Sequence, residues 1–219
     1  MRASTRTAGL ALLLLLAGRQ APAAAESALP AGAEAALRRA VTRYGPGAAH
    51  AASFVQTYTP AGFANARRES GTVWIQAPQR LRFDYTEPET KTFTYDAGEG
   101  RFYSPADKQL TVRKLSPEER ARLPIVFLTD PAELSSQYAI SLEAVGGGSD
   151  QLMLRPRTPR PELAWLRLTL AADGSVQGLS YETEGGDRTE FQFTGWRAEK
   201  LRPEADYRVV GPRGTRVVE

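Results

Sequence analysis

At 219 residues with 42% hydrophobic side chains, the chain is long enough for a substantial apolar core, yet it has no cysteine and a single histidine. That excludes disulfides, thiolate catalysis, cysteine-ligated metals and a His-rich zinc site. The net charge of +3 belongs to Arg2, Arg6 and Arg19 near the start; residues 26–219 are neutral overall, with interspersed charges that give no sign of a nucleic-acid surface.

Arg2 and Arg6 precede an apolar run from Gly9 to Ala17 and a small-residue stretch ending Ala23-Ala24-Ala25. This is the layout of a secretory signal peptide, with cleavage expected after Ala25 or alternatively after Ala23. The run is far short of the ~20 residues of a spanning helix. No cysteine stands at the cleavage point to take a lipid anchor, so residues 26–219 are expected to form a single exported, soluble domain. Ala33 to Tyr44 reads as a helix, with Ala33, Leu37, Ala40, Val41 and Tyr44 at helical spacing and Gly45-Pro46-Gly47 as its stop.

Gly71 to Leu115 reads as four short strands. Val73 and Ile75 alternate with Thr72, Trp74 and Gln76; Leu81, Phe83 and Tyr85 then share one face, with Arg80, Arg82 and Asp84 on the other. Glu87-Pro88, Asp96-Ala97-Gly98 and Ser104-Pro105 supply turns, and Phe93, Tyr95 and Phe102 make the apolar face unusually aromatic. Ser116-Pro117-Glu118-Glu119 is a capping box that opens a short helix closed by Pro124, and Asp130-Pro131-Ala132-Glu133 repeats the pattern. Between them lies the apolar run Ile125-Val126-Phe127-Leu128, either part of a lid or an ordinary crossover buried in a core.

Alternation returns at Tyr138, Ile140 and Leu142, then at Leu152 and Leu154, and after a Pro/Arg-rich loop at Leu166, Leu168 and Leu170. Asp173-Gly174 is a hairpin signal; Leu179, Tyr181 and Thr183 follow, then Phe191 and Phe193 up to Trp196. Arg197 to Glu219 reads as a polar tail. In all, about nine to eleven antiparallel strands each have one face to bury. One strongly curved sheet with the helices inside it meets that need; a β-sandwich does too, but leaves the helices without an obvious place.

The order Gly-x-Val-Trp-Ile, Pro, Arg-Phe-Asp-Tyr, Pro, Tyr-Asp-x-Gly, Phe-Tyr-Ser-Pro, together with Gln109 to Leu115 and an upstream Ser53-Phe54-Val55-Gln56, resembles the periplasmic lipoprotein carriers of the LolA family, over roughly Leu37 to Trp196. The resemblance implies an α+β fold: an incomplete antiparallel β-barrel with an N-terminal helix and short lid helices over its concave apolar face. It also implies a monomeric periplasmic chaperone, without cofactor, that holds lipoprotein acyl chains. The donor would be an inner-membrane lipoprotein-releasing ABC transporter and the acceptor an outer-membrane receptor. The cavity is then expected to be lined by Leu37, Val41, Phe54, Val73, Ile75, Leu81, Phe83, Tyr85, Phe93, Tyr95 and Phe102, with Val126, Phe127 and Leu128 in the lid. One departure concerns the lid: where the family commonly has a latching Arg before the Pro that ends the Trp strand, this chain has Ala77. Either Arg80 or Arg82 substitutes, or closure is purely apolar.

Enzyme chemistry finds little support. A Ser-His-Asp triad would have to use His50, no Gly-x-Ser-x-Gly elbow occurs, and Gly146-Gly147-Gly148 lacks the following helix of a phosphate loop. Two other classes stay open: a lipid- or lipoprotein-sensing module of the same fold in envelope stress signalling, and an adaptor whose apolar face docks a partner chain.

Overall fold

The computed structural model describes residues 29–77, 79–120, 123, 131–145 and 148–219. The signal-peptide expectation and the lid residues Val126, Phe127 and Leu128 lie outside the described residues. Helix α1 (Ala31–Arg43) leads into β1 (Ala49–Thr59), β2 (Arg67–Gln76), β3 (Arg80–Glu87), β4 (Lys91–Asp96), β5 (Glu99–Ser104) and β6 (Gln109–Lys114). Two short helices, α2 (Pro117–Arg120) and α3 (Pro131–Gln137), precede β7 (Tyr138–Val145), β8 (Ser149–Pro156), β9 (Trp165–Leu170), β10 (Val176–Glu182) and β11 (Arg188–Glu199). A 3-10 turn (Glu204–Tyr207) and β12 (Arg216–Val218) end the chain.

All twelve strands join one sheet in the order β12-β6-β5-β4-β3-β2-β1-β11-β10-β9-β8-β7, whose two ends, β12 and β7, do not meet. The architecture is therefore the incomplete barrel, with eleven strands in antiparallel succession and β12 added parallel to β6. Register follows the apolar pattern, because a one-residue slip would turn every inward side chain outward. Ala52 faces Val73, Val73 faces Phe83, Phe83 faces Phe93 and Phe93 faces Phe102, a continuous row across five strands. The sheet curls so that this row, the leucines of β8 and β9, and Ala33, Ala36, Leu37, Ala40 and Tyr44 of α1 form one core. No helix among the described residues is long and apolar enough to cross a membrane.

Two features differ from the sequence reading. Gly71 to Leu115 contains five strands, not four, because Ala97 and Gly98 both adopt positive φ (47° and 98°) and close a two-residue hairpin between β4 and β5. The polar tail is also structural. It crosses the convex face, where the Gln76 Oε1 accepts the Arg202 N–H at 3.0 Å and Arg82 Nη1 donates to the Asp206 carbonyl at 2.6 Å. The Arg202 guanidinium lies 4.4 Å from the centre of the Trp74 ring, and Tyr207 is 1% exposed. Asp96 holds Arg80 Nε at 3.1 Å and Arg208 Nε at 2.9 Å.

Candidate functional site

Alternation on β3 directs Phe83 and Tyr85 to the concave face, while β4 supplies Phe93 and β11 supplies Phe191. These residues, with Gln56 of β1, Arg113 of β6, Leu115, Glu119 of α2, Leu123 and Tyr181 of β10, line a cavity of about 250 Å³ between the sheet and the first short helix. Its floor is a ring cluster. Phe54 stands edge-on to Phe83 and Tyr85, with centroids 5.0 and 4.9 Å away, and Phe83 lies 5.6 Å from Phe191. Such contacts are non-directional enough to rearrange around a flexible hydrocarbon.

Half of the lining side chains carry a polar group, and most of these are paired with one another. Tyr85 Oη donates to Gln56 Oε1 at 2.6 Å, and Lys91 Nζ sits 4.6 Å from the Tyr85 ring centre while pairing with Glu69. Burial raises the Tyr85 phenol well above its ordinary value, with the Glu69 charge acting the same way, so it remains a donor at neutral pH. At the rim, Ser116 N donates to Glu119 Oε2 at 2.9 Å and Glu119 N to Ser116 Oγ at 3.2 Å, the reciprocal capping box that starts α2. Glu119 also pairs with Arg113 at 2.6 Å, which ties α2 to β6.

Of the residues expected to line a cavity, Phe83, Tyr85 and Phe93 do so. Leu37, Phe54, Val73, Ile75, Leu81 and Tyr95 are buried in the core that continues beneath α1. Val41 is only partly buried, and Phe102, 38% exposed, lies on the outer end of its row, where the described elements leave it open. Phe191 and Tyr181 carried an alternation signal; Gln56, Arg113, Leu115, Glu119 and Leu123 had none, because their place in the wall depends on how β1, β6 and α2 come together in the fold. Neither Arg80 nor Arg82 replaces the latch: both are on the convex face, Arg80 bound to Asp96 and Glu204 and Arg82 to Asp84 and the Asp206 carbonyl.

Two other hollows are polar or shallow. One of 610 Å³ runs along the outside of α1 past Arg38, Arg39 and Arg43, which pair with Glu34, Asp150 and Asp173. Another, of 500 Å³, lies where Ala77 and Arg80 meet Glu204 and Arg208. Neither offers a water-excluding apolar surface.

The family profile described as "Outer membrane lipoprotein carrier protein LolA" matches residues 48–205, which spans β1 to β11 and so every strand that lines the cavity. An outer-membrane lipoprotein carrier protein from Xanthomonas axonopodis pv. citri is 30% identical over 179 residues, 75% of this chain and 79% of that one. The protein of the same name from Xanthomonas campestris pv. campestris is 29% identical over the same shares. Among solved structures, an uncharacterized conserved protein from Thermus thermophilus superposes with a TM-score of 0.54 at 15% identity, covering 85% of this chain and 98% of that one, a likeness of fold alone. The chain belongs to the LolA family of outer-membrane lipoprotein carriers, a family of carriers and not of enzymes.

Proposed function

We propose that this protein is a periplasmic chaperone that shields lipoprotein acyl chains in the aromatic cavity and carries them from the inner to the outer membrane. The supporting observation is the cavity itself: a family carrier presents Phe83, Tyr85, Phe93 and Phe191 beneath a short helix tied down at its rim. Each buried methylene is worth ~0.8 kcal/mol, so a bare lipid anchor in water aggregates or inserts into any nearby membrane. A carrier must recover most of that energy without exceeding it, and loosely packed rings suit this better than directed bonds. At about 250 Å³ the cavity is smaller than the ~300–1,000 Å³ of sites that enclose a drug-sized ligand. Loading therefore requires it to widen. Its partners in this reading are lipoproteins, an inner-membrane ABC transporter as donor and an outer-membrane receptor as acceptor.

A charge on the cavity floor tests this. Phe83→Asp would place a carboxylate among the rings at a cost of several kcal/mol, but Phe83 is 3% exposed and also supports the core. Phe93→Glu, at a half-buried wall position, keeps the test independent of folding. The wild-type protein should release a triacylated lipoprotein from inner-membrane vesicles as a soluble complex, and folded Phe93→Glu should release less than about a tenth as much. Wild-type yields from the folded variant would refute the cavity assignment.

A further inference from the structure

Hydrocarbon chains need no hydrogen-bond donors, yet the cavity wall carries one. Gln56 stands among Phe83, Tyr85, Phe93 and Phe191. Its carboxamide oxygen accepts the Tyr85 hydroxyl at 2.6 Å, which fixes the orientation of the amide group. Its Nε2 then has no hydrogen-bond partner among the described residues. Tyr85 is itself held, by Lys91 over its ring and by the edge of Phe54. The other charged groups of the wall, Arg113 and Glu119, pair with each other and so are not free to read a ligand. Gln56 is half-buried, so in the empty cavity this donor is left to water, and a ligand that displaces the water must offer an acceptor in its place or lose that hydrogen bond. In an acylated cargo, the acceptor found between greasy chains and polar head is the ester carbonyl.

We infer that Gln56, oriented by Tyr85, donates from Nε2 to an ester carbonyl of the bound lipid, so that the cavity recognises the acyl linkage as well as the chains. This rests on the lipid-cavity reading and adds a specificity-determining residue to it. The discrimination expected from one neutral hydrogen bond is about 3- to 10-fold in affinity.

The test uses the full chain and two synthetic lipopeptides whose N-terminal cysteine carries either two palmitoyl esters or the matching dihexadecyl ethers, which keep the chains and lack the carbonyls. Titration followed by intrinsic fluorescence should show the ester bound about 3- to 10-fold tighter by the wild-type protein. Gln56→Met, similar in size and unable to donate, should erase that preference, so that ester and ether bind alike, and Tyr85→Phe, which frees the carboxamide, should reduce it. Equal affinity for ester and ether in the wild type would overturn this inference and leave the carrier reading standing. So would a preference that survives in Gln56→Met. Failure of the wild type to bind either lipopeptide would overturn the lipid-cavity reading and this inference with it.

Discussion

His50 is the residue whose surroundings say most about pH. It is 8% exposed at the start of β1, edge-on to Tyr44 at 5.0 Å, and its Nδ1 is buried without a hydrogen-bond partner among the described residues. Tyr44 in turn accepts the Val176 N–H at 3.2 Å and stands edge-on to Trp196, and burial lifts its phenol to about 12. Burial, and next the nearby Arg43 charge, lower the His50 pKa below its ordinary 6.5. The unfolded chain therefore takes up the proton first. The neutral histidine contributes its full stability above about pH 6.5, and that contribution is lost as pH falls from there through the lowered folded value. His50→Phe, which needs no proton, should flatten this dependence. Urea midpoints measured from about pH 8 to about pH 5 should slope downward below 6.5 in the wild type and much less in the variant. Equal slopes in the two proteins would assign the acid sensitivity to other groups.

Among the elements, the tail from Leu201 to Val218 is where sequence and structure part most. It carries no alternation to read, because it is held chiefly by backbone and guanidinium contacts: Arg82 and Arg101 donate to the carbonyls of Asp206 and Val209, and β12 pairs with β6 along its edge. By contrast β3, with Leu81, Phe83 and Tyr85 inward, was fully legible, since one buried face imposes period two on the sequence. The early part of β2 was not: Arg67, Arg68 and Glu69 pair with Tyr58, Thr57 and Gln56 where the sheet has little to bury. Asp173-Gly174 was legible through its turn chemistry, Gly174 having φ +80° and the Ser175 N–H donating to Asp173 Oδ1 at 2.9 Å. Tyr207 is the tail's anchor on the convex face. Tyr207→Ala should remove about 3 kcal/mol, by analogy with other buried aromatics, and lower the melting temperature by roughly 6–12 °C. Circular dichroism melts would check it; a loss below about 2 °C would mean that the tail rests on the sheet without stabilising it.

Across the whole molecule, burial is uneven in a way that suits a carrier. On one side of the barrel Leu152, Leu154, Leu166, Leu168 and Leu170 are all fully buried in the core shared with α1. Arg39 and Arg43 of α1 pair with Asp150 and Asp173 on that same side. On the other side, over β3 to β6, the aromatic cavity replaces that packing, Leu115 rests on Gly100, and the rim is held by Arg113 and Glu119. The packed side has little room to move, because displaced core side chains lose contacts on all sides at once. The cavity side has room. An exposed ion pair of this kind contributes no more than ~1 kcal/mol, an amount that lipid burial easily exceeds. Loading should therefore displace β5, β6 and α2 while β8 and β9 stay fixed. Amide hydrogen exchange with and without a triacylated lipopeptide should change protection across Glu99 to Arg120 and leave Trp165 to Leu170 as it was. Glu119→Gln keeps the capping box, which accepts Gln as readily as Glu, while removing the charge that Arg113 holds. In the empty protein that substitution should quicken exchange in α2 by no more than about fivefold. Protection changes of equal size in Trp165 to Leu170 would mean that the barrel breathes as a whole and that no side of it is built to yield.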